Sequence, residues 1–156
     1  MGVSGSGKTT LGLRLAADLG WTFIDADDFL SPATVRRMAG GDPPSDADLE
    51  VWVAALREQV ARTLATGQNA VLAYSALHSG ARDALVVDPG SVRFVYLKGS
   101  ASLLRNRLRN RSGHFLKADQ LAGQFATLEE PEDAVTIDID ERPGRIVEMI
   151  REALGL

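Results

Sequence analysis

Eight residues close to the amino terminus, Gly2-Val3-Ser4-Gly5-Ser6-Gly7-Lys8-Thr9, constrain this chain more than any other feature. They follow the Walker A spacing G-x4-G-K-[ST], and each residue type has a physical reason. Glycines let the backbone turn its N–H groups inward around an anion, because no β-carbon stands in the way. Leu11, Leu15 and Leu19 recur every four residues and predict a helix directly after the loop. Its N-terminal dipole adds to the same anion site. Lys8 has the reach for β- and γ-phosphates, and the Thr9 hydroxyl suits Mg²⁺. A shuffled chain of this composition would contain the pattern only about 0.003 times. Gly2 through Thr10 is therefore read as a site for nucleotide phosphates.

Composition narrows the remaining classes. At 156 residues the chain is expected to form one domain spanning 1–156. It has no cysteine and two histidines, His78 and His114, which removes disulfide frameworks, thiolate zinc sites and histidine-rich metal centres. A formal charge of −4 argues against nucleic-acid binding through a basic surface. No apolar run approaches the ~20 residues of a membrane span, and no signal peptide precedes the first glycines. The expectation is a cytoplasmic protein with no nucleic-acid or membrane partner.

Short apolar runs alternate with helical stripes. Thr22–Asp25, Asn69–Tyr74, Ser91–Leu97 and Ala134–Ile139 have the form of parallel strands covered on both faces. Leu49, Trp52, Val53, Leu56, Val60 and Leu64 make a long helical face, opened by a Ser45-x-x-Asp48 capping signal. Leu104 and Leu108 form a further face, and Leu121, Phe125 and Leu128 another. Pro143 suits the first turn of a last helix bearing Ile146, Val147 and Ile150. The alternation predicts an α/β layered fold with a parallel sheet between helices and right-handed crossovers. A buried strand should feed the phosphate loop, yet Met1 directly precedes Gly2. Either the natural chain begins upstream or the sheet has an unfilled central slot with ladder hydrogen bonds unmade. Two stretches, Ser31–Ser45, with Pro32, Gly40, Gly41, Pro43 and Pro44 around a short helical piece, and Arg111–Asp119, fit no element and are expected to be mobile loops beside the site.

Three segments narrow the chemistry, and the absence of an N-K-x-D signature disfavours a GTPase. Phe23-Ile24-Asp25-Ala26-Asp27-Asp28 places acidic residues at the carboxyl end of a strand, where parallel sheets present their ligands. One carboxylate there can support Mg²⁺ and another can orient or deprotonate an acceptor hydroxyl. The alternative is a solvated acidic turn or helix cap. Arg105, Arg107, Arg109 and Arg111 lead into Gly113-His114-Phe115, and guanidinium groups clamp phosphoryl oxygens. Their alternate spacing leaves two at most on one helix face, the rest forming a solvated basic helix end. Ser75-Ala76-Leu77-His78 follows a strand, and its histidine is read either as a site residue or as a surface one.

Taken together these residues resemble the gluconokinase family of small sugar-acid kinases. The resemblance covers GVSGSGKTT, FIDADDF, Met38-Ala39-x-Gly41-x-Pro43, Asp46-x-Asp48 with Trp52, and YSAL with Arg82-Asp83. It continues through Tyr96-Leu97-Lys98-Gly99, Arg107-Leu108-x-x-Arg111-x-Gly113-His114-Phe115, Gln124-Phe125-x-Thr127-Leu128-Glu129-x-Pro131 and Asp138-Ile139-Asp140. The resemblance implies ATP-dependent phosphorylation of D-gluconate on a nucleoside-monophosphate-kinase-like sheet, with a lid about 111–119 and an acceptor segment about 27–50. It further implies that Lys8, Asp27 and Arg111 are catalytic, that Thr9 and Asp25 serve Mg²⁺, and that Arg107 joins the nucleotide site. Asp27, Arg37, His78, Arg82, His114 and Gln124 would meet the acceptor, and such enzymes are often homodimers. The departures lie on the acceptor side. Leu30, Ser31 and Thr34 stand where the family usually has His-Pro and Asn, Arg37 and His78 replace lysines, and Leu49 replaces an arginine. Lost charged hydrogen bonds would weaken recognition by about 1.5–3 kcal/mol each if those positions touch substrate. Gluconate, another small hydroxylated acceptor such as a different aldonate or a shikimate-like molecule, and a catalytically weak nucleotide-binding protein all remain open readings.

Overall fold

The computed structural model describes residues 1–109 and 121–156. Helix α1, Lys8–Leu19, follows the glycine loop and leads into strand β1, Thr22–Asp25, and a 3₁₀ turn, Ala26–Phe29. Helices α2, Pro32–Gly40, and α3, Asp46–Ala65, lead to β2, Ala70–Ala73, and α4, Ser79–Leu85. Strand β3, Val95–Lys98, helix α5, Ala101–Arg109, helix α6, Leu121–Thr127, strand β4, Val135–Asp138, and helix α7, Pro143–Leu154, complete the described chain.

The four strands among the described residues pair in parallel, as expected, but in two separate pairs. In one, β1 lies beside β2 with Thr22 opposite Ala70 and Asp25 opposite Ala73. In the other, β3 lies beside β4 with Val95 opposite Val135. Met1 and Gly2 bridge the gap. The Met1 amine donates to the Val95 carbonyl, Leu97 N–H to the Met1 carbonyl at 3.0 Å, and Gly2 N–H to the Ser75 carbonyl at 3.1 Å. Beyond Met1 a cavity of about 320 Å³ runs between the pairs, lined by Val71, Leu72, Phe94, Val95, Leu15 and Ile150 among others. It explains why most of β1 and β2 is only half-buried, although parallel strands are ordinarily covered on both faces.

The helices form where caps and stripes coincide. Ser45 and Asp48 make the anticipated capping box on α3: the serine hydroxyl accepts from Asp48 N–H, and the aspartate accepts from Ser45 N–H. Pro143 opens α7, whose Ile146, Val147 and Ile150 are buried. In the Ser31–Ser45 stretch the short helical piece expected is a nine-residue helix that takes up most of the loop. Ser31 caps α2 by accepting from Thr34 N–H, Pro32 fits its first turn, and Gly41 closes it. Only Gly41–Pro44 stays outside a helix before the Ser45 cap. Strand β3 begins at Val95 rather than Ser91, because Asp88–Ser91 closes a turn. The lid expected about 111–119 lies outside the described residues.

Two apolar clusters support the carboxyl ends of the strands. Val3, Leu11, Leu15, Leu97, Leu104, Leu108, Leu121, Ile137, Ile139 and residues of α7 pack beneath the glycine loop. Leu30, Met38, Trp52, Leu56, Tyr74 and Leu85 pack beneath the acidic turn and α2. No helix among the described residues is long and apolar enough to cross a membrane.

The slot has measurable consequences. Enclosure in apolar surroundings, with Lys8 nearby, pushes the Met1 amine down to about 5. The unfolded amine keeps its ordinary value near 8, so between these values the unfolded state holds a proton the folded state has lost. Stability of a chain beginning at Met1 should therefore rise with pH across that window. A variant with four apolar, β-branched residues placed ahead of Met1 should fill the slot and bury more apolar area. A gain of about 2 kcal/mol, on the order of 5 °C in Tm, is expected, and the pH dependence between 5 and 8 should vanish. Thermal melts of both chains across that pH range check this; identical melts would contradict it.

Candidate active site

The glycine loop is held from below and open above. Val3 is 2% exposed and sits in the first apolar cluster, fixing the loop to the core. A β-carbon on Gly2 would lie 2.8 Å from the Leu97 carbonyl oxygen, so only glycine permits this approach. Gly7, at φ +94°, turns the chain into α1, which starts without any side-chain cap. Its first-turn N–H groups and dipole thus face the cleft, as an anion site requires. The Lys8 ammonium lies across the loop, donating to the carbonyls of Gly2 at 2.9 Å and Val3 at 3.2 Å. Ser6 is wholly buried beneath the loop, its N–H donating to the Val3 carbonyl.

The opposite wall is acidic. Asp25 ends β1 and uses both carboxylate oxygens: Oδ2 accepts from the Thr9 hydroxyl at 3.0 Å, and Oδ1 from Asp27 N–H at 3.1 Å. The second bond caps the 3₁₀ turn and sets the position of Asp27. Trp52 of α3 secures the same turn from behind, its Nε1 donating to the Ala26 carbonyl at 2.7 Å. The Trp52 ring also meets Tyr74 edge-on, with centroids 5.0 Å apart. Burial pushes the Tyr74 phenol up to about 12, so it stays neutral at physiological pH.

These groups enclose a cleft of about 50 Å³, lined by Ser4, Gly5, Gly7, Lys8, Thr9, Thr10, Asp25, Asp27, Ala73, Tyr74 and Ser75. Among the described residues no group of three or more His, Asp or Glu could hold a metal by itself. The Thr9 hydroxyl and Asp25 carboxylate are hard oxygen donors side by side, which fits Mg²⁺ sharing its ligands with phosphate and water. Chemically, the cleft can bind a polyphosphate on one side and present a carboxylate to a hydroxyl on the other.

Other residues expected at the site have partners elsewhere. Arg37 of α2 pairs with Asp48, whose carboxylate also accepts from Ser45 and the Thr34 hydroxyl. The Ser45 hydroxyl and N–H, then Arg37 and Thr34, hold the Asp48 carboxyl well below the usual range. Leu30 and Thr34 are buried and half-buried Leu49 packs against the second apolar cluster, so the two leucines tie α2 and α3 to the core while Thr34 bonds Ser31 and Asp48. Arg82 is 7% exposed and donates to the carbonyls of Ala76 and Glu129 at 3.1 and 3.0 Å. That guanidinium staples the loop after β2, where Ala76 adopts a positive φ of 47°. His78 is exposed and lies 3.7 Å from Glu129, which accepts from Ser79 N–H. Arg107 donates to the Ile139 carbonyl at 2.7 Å, beside the loop between β4 and α7. Gln124, expected to meet the acceptor, hydrogen-bonds Ser4 of the glycine loop. Arg111 and His114 lie outside the described residues. Tyr74 and Ser75 also line the cleft; the YSAL segment was noted in the sequence, but no site role was expected of either residue.

Comparison with known proteins agrees with this geometry. Residues 1–131 match the family described as AAA domain. A probable gluconokinase from Mus musculus is 38% identical over 174 residues, covering 99% of this chain and 95% of that protein. The gluconokinase of Gluconobacter oxydans is 38% identical over 151 residues, covering 95% and 85%. A crystal structure of a gluconokinase from Sinorhizobium meliloti superposes with a TM-score of 0.88 at 37% identity, covering 99% and 89%. With its nucleotide-phosphate loop, parallel sheet and near full-length likeness to these enzymes, the chain belongs to the gluconokinase family of P-loop kinases.

Proposed function

We propose that this protein transfers the terminal phosphoryl group of ATP to a hydroxyl of D-gluconate, giving 6-phosphogluconate. The observation that carries this reading is the bridge made by Asp25. One carboxylate links Thr9, at the start of the phosphate-binding helix, to Asp27, at the mouth of the cleft. A donor site and an acceptor site are thereby held at a fixed separation. The likeness to gluconokinases over nearly the whole chain supports gluconate as the acceptor.

In this reading the loop N–H groups and the α1 dipole hold the β- and γ-phosphates, and Lys8 leaves its loop carbonyls to meet them. Thr9 and Asp25 would hold Mg²⁺, which supplies charge neutralisation for the transferring phosphoryl group. Asp27 accepts the proton of the attacking hydroxyl and aims its oxygen in line. Arg111, with Arg107 released from Ile139, closes over the phosphates, and His114 belongs to the same segment. Arg37, His78 and Arg82 act on the acceptor side through the segments they hold rather than as free cations. Burial of Leu30 and the packing of half-buried Leu49 support that view, since packing of the acceptor segment does not require the charged side chains usual in the family.

A coupled assay for ADP release across gluconate, other aldonates, shikimate and simple polyols tests the reading. Turnover is expected with gluconate at a kcat/KM at least tenfold above any other acceptor; preference for another compound would reassign the acceptor. Lys8→Ala should abolish turnover while leaving the melting temperature within a few degrees. Asp27→Asn should lower kcat on the order of 10²-fold with ATP affinity within about twofold. An unchanged kcat would remove Asp27 from proton transfer.

A further inference from the structure

Gln124 lies far from the phosphate loop in sequence and touches it directly. Leu121 anchors α6 in the apolar cluster beneath the loop, together with Val3, Leu104 and Leu108. Three residues on, and so on the same helix face, Gln124 extends its carboxamide to Ser4. Oε1 accepts from Ser4 N–H at 2.7 Å, and Nε2 donates to Ser4 Oγ at 3.1 Å. Both ends of one planar amide are thus spent on one loop residue that is 8% exposed. The loop is pinned at successive points: Val3 by burial, Ser4 by this double hydrogen bond, and Ser6 N–H by the Val3 carbonyl at 3.2 Å. No charged residue is used, so the grip adds no charge beside the phosphate site.

We infer that Gln124 is a positioning residue for the nucleotide, holding Ser4 so that the loop is already shaped for phosphates before they arrive. This rests on the nucleotide-binding part of the function proposed above, and not on the identity of the acceptor. The Ser4 N–H is committed to Gln124, which leaves phosphate contact to Gly5, Gly7 and the first turn of α1. A loop set in advance loses less conformational freedom on binding, and that difference appears as affinity.

The test is calorimetric titration of the full chain with a magnesium complex of a non-hydrolysable ATP analogue, alongside steady-state kinetics and thermal melts. Gln124→Met keeps the length and packing but cannot bond Ser4. It should raise the dissociation constant and the KM for ATP about tenfold, with kcat within about threefold and the KM for gluconate within about twofold. Ser4→Ala, which removes only the hydroxyl acceptor, should raise the dissociation constant about threefold in the wild type and hardly at all in Gln124→Met. It also serves if Gln124→Met does not fold. A lowered melting temperature with unchanged nucleotide affinity would overturn the inference, as would a raised KM for gluconate alone. If the wild type binds the analogue tightly but phosphorylates no gluconate, only the acceptor assignment fails, and the affinity comparison still decides the role of Gln124.

Discussion

A single carboxylate at the end of β1 governs the geometry of the cleft. Asp25 takes the Thr9 hydroxyl with one oxygen and the Asp27 N–H with the other. The first bond ties the strand to the start of α1, and the second starts the turn that carries Asp27. A carboxylate accepting two hydrogen bonds at the mouth of a parallel sheet is locally rigid, and rigidity is what positioning catalysis requires. The supports behind it follow the same logic. Trp52 holds the Ala26 carbonyl, Asp48 ties α2 to α3, and Val3 anchors the phosphate loop in the core.

The two apolar clusters divide the work of holding the site. One underlies the phosphate loop and takes side chains from α1, α5, α6 and α7. The other underlies the acidic turn, α2 and α3. Between them lies the slot that Met1 spans with hydrogen bonds to the β3 side and Gly2 with one to the loop after β2. The phosphate loop is thus held by the Met1 and Gly2 hydrogen bonds, by burial of Val3 and by Gln124.

Much of this was legible in the sequence because local chemistry decides it. The Ser45–Asp48 box, Pro143 at the start of α7, the Thr22–Asp25 run and the glycine loop all depend on residues within a turn or two of each other. Helix α2 was less legible, since Pro32, Gly40 and Gly41 read as loop residues until Ser31 is seen to cap and Gly41 to terminate. Helix α4 is seven residues long, too short to show a period. The destinations of the arginines were not legible at all. Nothing local says that Arg37 finds Asp48, that Arg82 turns inward to the Ala76 and Glu129 carbonyls, or that Arg107 reaches Ile139. Gln124 was placed on the acceptor side by resemblance, whereas its bond to Ser4 depends on tertiary packing across 120 residues.

The family likeness and the geometry together motivate one proposal: that the loop and the two aspartates carry a phosphoryl group from ATP to gluconate. Phosphorus NMR of a mixture of the protein, magnesium, ATP and gluconate observes that transfer without a coupling enzyme. The account predicts loss of the γ-phosphate signal in step with a new phosphomonoester signal coupled to the terminal carbon of gluconate, and no change when Lys8 is alanine. A γ-phosphate signal that persists, or that decays only to inorganic phosphate, would contradict it.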